Sequence, residues 1–184
     1  MIPAPIMRRV AAYVADCVIL FAGLLMLQAV LYPINPILTM QRGGAVSTPG
    51  RLHAWVFATA TLPFLLYFAA TIGSSRQSTL GMRWMGLRVE EVGGVRLSLA
   101  RSLVRSIVLL LPFELNHTVM FHLTPASGAE PSAGLWMGIA AVWLALGTHV
   151  VVMFMTPRRQ SVHDLVAGSV VVLGTRGSDG HSAP

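Results

Sequence analysis

Three stretches of this chain, Val10 to Tyr32, Leu52 to Ile72 and Leu135 to Met155, each run for 21 residues or more with at most one acid or histidine. As a helix rising about 1.5 Å per residue, even the shortest of them spans roughly 30 Å, the thickness of a bilayer's hydrocarbon. Runs of this kind leave few choices: the chain folds with lipid as its solvent. Composition agrees, because 11% of the 184 residues are charged and 54% are hydrophobic. Soluble domains use about 25% charged residues to cover their surface.

The formal charge is +6, and all 13 basic residues are arginine. They sit beside apolar spans and are not interleaved with aromatics, so they read as membrane anchors and not as a nucleic-acid surface. Cys17 is the single cysteine, which excludes an internal disulfide and a paired thiolate metal site. Arg8 and Arg9 before an apolar run resemble the start of a secretory signal. That run is too long, is interrupted by Asp16, and is followed by no small-residue cleavage site, so it reads as a retained span. Ala15 and Asp16 before Cys17 do not make a lipoprotein box either.

A fourth segment, Ser98 to His122, opens with Arg101 and Arg105, is purely apolar from Ile107 to Phe113, and then brings Glu114, Asn116, His117 and His122. Hydropathy alone leaves it undecided, and charge asymmetry decides it. If it crosses, Arg8, Arg9, the six arginines from Arg76 to Arg105, and Arg158, Arg159 and Arg176 share one side, which is 11 of the 13. The positive-inside rule makes that side the cytoplasm. The expected fold is therefore an all-α polytopic membrane protein with four transmembrane helices, about 10–32, 52–72, 98–122 and 135–155, both termini cytoplasmic, in a bacterial inner membrane. Pro112 is expected to bend the third helix.

Between the second and third spans, Ser78 to Met85 reads as a short interfacial helix. Leu87 to Val89 and Val95 to Leu97, flanking Gly93 and Gly94, read as a small hairpin, and Ser98 as the cap of the next helix. Residues 1–173 are expected to form one domain and the polar tail, 174–184, to be disordered.

Three segments, "RRVAAYVADCVIL", "STLGMRWMGLRVEEVGGVRLSLARSLVRSIV" and "RRQSVHDLVAGSVVV", in that order and spacing, resemble the RDD family of bacterial membrane proteins. The resemblance covers roughly residues 6 to 173 and places the family's arginine on Arg9 and its two aspartates on Asp16 and Asp164. The family's turn before the third helix matches Thr79, Leu80 and Gly81; Met82 stands where many members carry lysine. "PFELNHT" resembles a branch with a Glu and a His in the third helix. The resemblance implies little about activity: some members are associated with cation and proton exchange, others with partner membrane proteins.

An acid in an apolar span is costly unless paired, protonated or wetted, which singles out Asp16. Arg9 lies on the same helix face but about 10 Å away along the axis, so Arg105 or Arg159 is the expected partner of Asp16, with Asp164 a second acid at the same level. This group reads as a proton or cation site or, more simply, as a structural clamp. Glu114 and His117, at i and i+3, have the spacing with which bundles offer a carboxylate and an imidazole to a metal. His122 and His149 are the residues available to complete such a site, and the simpler reading is a polar network between helices. His163 and Asp164 fall in a run, "RRQSVHDLVAGS", that reads as an amphipathic segment lying at the interface.

No phosphate loop, nucleophile elbow or zinc-protease motif occurs, so neither an enzyme nor a cofactor is expected. The expected activity is proton-coupled cation transport through Asp16, Glu114 and His117, with a non-transporting scaffold or regulator of another membrane protein as the alternative. The expected partners are the lipid bilayer and either further copies of the chain or another membrane protein.

Overall fold

The computed structural model describes residues 3–35, 48–124 and 130–174. The tail expected to be disordered falls outside them, apart from Gly174. Four long helices dominate: α1 (Ile6–Val30), α2 (Pro49–Gly73), a third spanning Leu99–Leu123, and a fourth spanning Ala133–Met155. All are long and apolar enough to cross a membrane, the third with the lowest mean hydropathy, 1.3. The sequence places them correctly and misses their ends by a few residues. Helix α1 starts at Ile6, directly after Pro5, and stops at Val30, before a 3-10 turn at Tyr32–Ile34.

Side-chain caps set the starts of the other three. Thr48, Ser98 and Ser132 accept hydrogen bonds from the amides of Arg51, Arg101 and Leu135 in their respective helices, so orphan amide donors are met locally. Helix α2 contains a π-helical turn, Phe57–Thr61, just before Pro63, where proline's missing N–H interrupts the ordinary ladder. The third helix is α-helical through Pro112 to Thr118 and π-helical from Val119 to Leu123.

Two short helices complete the fold. The first, α3 (Leu80–Trp84), is capped by Thr79, whose hydroxyl accepts from the Met82 amide. It forms where an interfacial helix is expected. Numbered in chain order, the Leu99–Leu123 and Ala133–Met155 helices are then α4 and α5, and the second short helix is α6 (Val162–Ala167).

The strand β1 (Leu87–Glu91) pairs antiparallel with β2 (Ser169–Leu173), from Leu87 opposite Leu173 to Glu91 opposite Ser169. The glycine turn forms, with Gly94 at φ 84°, the Gly94 amide on the Glu91 carbonyl, and a single bridge between Glu90 and Arg96. The ladder itself runs to the C-terminal strand instead of to Val95–Leu97. Residue 4 joins it, because the Ala4 amide donates to the Val171 carbonyl at 2.9 Å. The beginning of the chain and β2 therefore meet at one end of the bundle.

The main core lies at that end, where Ala12, Phe68, Ile72, Leu87, Val89, Leu97, Leu110 and Val171 pack together. A smaller core of Val119, Leu135 and Val142 joins α4 to α5 at the other end. Small residues let α2 and α4 approach closely: the Ser102 hydroxyl donates to the Ala69 carbonyl at 2.9 Å, and both Ser102 and Ser106 are fully buried. The Arg96 guanidinium donates to the Gly73 carbonyl at 2.8 Å and closes the C-terminus of α2.

Candidate functional site

Two polar centres are built on this frame, one at each end. At the sheet end, Asp164 sits on α6 with no exposure at all. Its Oδ2 accepts from Arg9 Nη2 at 2.6 Å and from the Ser161 amide at 3.2 Å. Its Oδ1 accepts from Arg105 Nε at 2.9 Å and Nη2 at 2.8 Å. One carboxylate thus ties α1, α4 and the start of α6. Burial alone would raise its pKa, but the Arg105 guanidinium, with His163 and Arg9, outweighs burial and holds the carboxyl well below the usual range.

Asp16, 1% exposed, is satisfied differently. Its Oδ1 accepts from the Tyr67 hydroxyl at 2.7 Å and the Gly81 amide at 2.8 Å, and its Oδ2 accepts from the Thr79 hydroxyl at 2.5 Å. This corrects the expectation that Arg105 or Arg159 pairs with Asp16. Arg105 is taken by Asp164, and Arg159, at φ 53°, offers Arg9 its backbone carbonyl instead of pairing with an acid. Hydroxyl and amide donors perform the task that charge matching assigns to an arginine. Gly81 makes this possible, since a Cβ there would lie 2.2 Å from the Ala12 carbonyl oxygen. Asp16→Asn, which presents two N–H donors where donors already point, is expected to cost about 1–3 kcal/mol. A lowered melting temperature in detergent would register it.

In the run containing His163 and Asp164, α6 packs against α4 and buries both of these residues, while Leu165 and Val166 on its other face are exposed. The Ser161 hydroxyl donates to the His149 carbonyl at 2.9 Å and fixes α6 to α5. Burial pushes the His163 pKa down from 6.5 to about 3, with Arg105 and Arg9 adding to the fall and Asp164 opposing it. The unfolded chain takes up that proton near 6.5 and the folded chain does not, so stability falls as pH drops from about 6.5 to about 3. Melting temperatures measured across that window should slope less in His163→Leu.

At the opposite end, Glu114 is surrounded by donors from two helices. Its Oε1 lies 2.6 Å from His53 Nε2, and its Oε2 lies 2.7 Å from the Thr61 hydroxyl and 3.3 Å from His117 Nδ1. His53 Nδ1 in turn lies 3.2 Å from His122 Nε2. The chain His122, His53, Glu114 can pass a hydrogen-bonded proton, because each imidazole donates on one side and accepts on the other. Sequence reasoning missed His53, which stands second in an apolar run and reads there as a boundary residue. A carboxylate three helical residues from one imidazole, with another His near the start of the preceding helix, was the available signal.

The metal alternative of Glu114, His117 and His149 is not assembled. His149 lies beside His163, ring centroids 5.5 Å apart, at the other polar centre. Among the described residues no group of three or more His, Cys, Asp or Glu is placed to hold a metal ion.

A profile described as the RDD family matches residues 3–168. The chain belongs to the RDD family. The match takes in Arg9, Asp16 and Asp164, all of which stand at the sheet-end centre. This RDD chain is a membrane protein with four apolar spans. No curated protein and no solved structure matches it.

Proposed function

We propose that this RDD protein is a non-catalytic scaffold in a bacterial inner membrane, with both termini cytoplasmic, that packs against a further membrane chain, either another copy or a different protein. The observation that supports it most is the saturation of both signature acids. Asp16 receives three donors and Asp164 two guanidinium groups, which suits a fixed clamp better than a group that loads and releases an ion. The clamp leaves two faces unused: within the bundle, the apolar windows of α1 and α5 are only 11% and 6% buried, against 28% for the other two. Orientation follows from the arginines gathered at the sheet end.

A photo-crosslinking residue at Trp143, 69% exposed on α5, tests the scaffold. One discrete adduct with a second chain in native membranes is expected, and its absence there and at Leu25 on α1 would sink the reading. Orientation is checked separately in a Cys17→Ala background. Glu130→Cys should react with an impermeant thiol reagent from outside intact cells, and protection there would reverse the assignment.

The Glu114 cluster favours a second reading, proton-coupled cation transport. It needs the two polar centres to communicate, although Arg105 and Glu114 are about 13 Å apart along α4 and Leu109, Leu110 and Pro112 lie between them. Under this reading, pH-dependent flux in proteoliposomes drops at least tenfold in Glu114→Gln. Flux unchanged in Glu114→Gln and Asp16→Asn alike excludes it.

A further inference from the structure

A cavity of about 280 Å³ lies between α1, α4 and α5 at the sheet end. Most of its wall is apolar, including Val10, Leu109, Phe113, Leu146 and Val150. Val10, Phe113 and Val150 are also exposed on the outside of the bundle, so the cavity opens sideways toward lipid. The buried charges in its wall ask nothing of an occupant: Asp16 is met by three neutral donors, and Arg9 and Arg105 are held by Asp164. Water finds few open partners in such a space, whereas hydrocarbon from the bilayer fills it without losing any.

The edge of the cavity at Arg9 carries the opposite chemistry. Arg9 lines the cavity and donates through Nη1 to the Arg159 carbonyl, which holds the turn after α5 against the start of α1. Arg8, Arg158 and Arg159 are thereby gathered near one edge of the opening, and all three are exposed. The acids described at this end are already engaged: Glu90 by Arg88, Glu91 by Arg101, Asp164 by Arg9 and Arg105, and Asp16 by its hydroxyl and amide donors. Among the described residues, no carboxylate at this end is left for the three exposed guanidinium groups. Like charges gathered on one rim attract an anion from outside the fold, and a planar guanidinium fits two phosphate oxygens at once.

We infer that the cavity and its arginine rim form a site for one anionic phospholipid, with an acyl chain in the cavity between α1 and α5 and the phosphate head held by Arg8, Arg158 and Arg159. The two halves follow the polarity of a lipid in its leaflet, cations at headgroup level and apolar wall inward of them. A zwitterionic lipid fills the cavity equally well but brings its own cation to the rim. Free phosphate meets the rim and leaves the cavity empty. The site is independent of the scaffold reading, since its wall lies inside one chain.

The full chain in phosphatidylcholine nanodiscs, doped with phosphatidylglycerol carrying a photoactivatable group in one acyl chain, tests the inference. Label is expected on α5 between Leu146 and Met153 and on α1 near Val10. A matched phosphatidylcholine probe should label about tenfold less. Arg8→Gln, Arg158→Gln and Arg159→Gln combined should bring the two probes level. Val150→Trp, which fills the rim and keeps the arginines, should abolish labelling by both, and Val10→Trp does the same from α1 if Val150→Trp fails to fold. Four results would each overturn the site: equal labelling by the two probes in the parent chain, a preference that survives the triple variant, label that persists in the tryptophan variants, or displacement of the probe by tail-less glycerol phosphate at the same concentration.

Discussion

Asp164→Asn is expected to cost about 3–5 kcal/mol, because it removes the only acid among the described contacts of Arg9 and Arg105 and leaves two guanidinium groups packed inside the protein. Melting in mild detergent or the yield of monodisperse protein reads this loss. A double variant that also carries Arg105→Met should recover part of it, since a buried charge without a partner costs more than an apolar side chain of similar reach. An Asp164→Asn protein as stable as the parent would show that the clamp contributes nothing. Acid titration gives an independent reading. The folded pKa lies below the ordinary 3.8, so the stabilisation is complete above about pH 4 and is lost as pH falls through the folded value. Asp164→Asn removes that low-pH loss and retains the separate slope from His163 at higher pH.

Gly81→Ala is expected to be the next most damaging. The added methyl would lie 2.2 Å from the Ala12 carbonyl oxygen and 3.0 Å from Asp16 Cγ, and the nearer contact is with helix backbone, which cannot rotate away. Overpacking of this kind costs about 1–3 kcal/mol or more. Here it would also push the Gly81 amide off Asp16, so the upper end of that range is expected. Gly93→Ala is the matched control, because its nearest neighbour, Val95 Cγ2, would be 4.0 Å away. Equal melting temperatures for the two variants would mean that the contact between α1 and α3 is not tight.

The four spans are legible in the sequence because lipid demands long apolar runs, and the short helix at Leu80 and the cap at Ser98 are legible because they rest on neighbouring residues. The sheet is not. Leu87–Glu91 and Ser169–Leu173 are short, lie on either side of two spans, and become partners only once α4 and α5 bring the chain back. Matching acids to arginines by depth identifies the right residues and the wrong couples. Asp16 could be read only by noticing that Tyr67, Thr79 and a glycine amide supply as many donors as a guanidinium does. Glu114 and His117 are visible as a helical pair, whereas His53 and His122 join them through the packing of α2 on α4.

The acid that Arg9 and Arg105 share is synthesised after every long helix, 155 and 59 residues downstream of them. During biosynthesis both cations must wait in water or among headgroups until that acid emerges, so closure of the bundle is a late event gated by the last stretch of chain. A nascent chain halted before Gln160 would hold its helices without the anion that draws them together, and would differ from the finished protein in charge as well as in length.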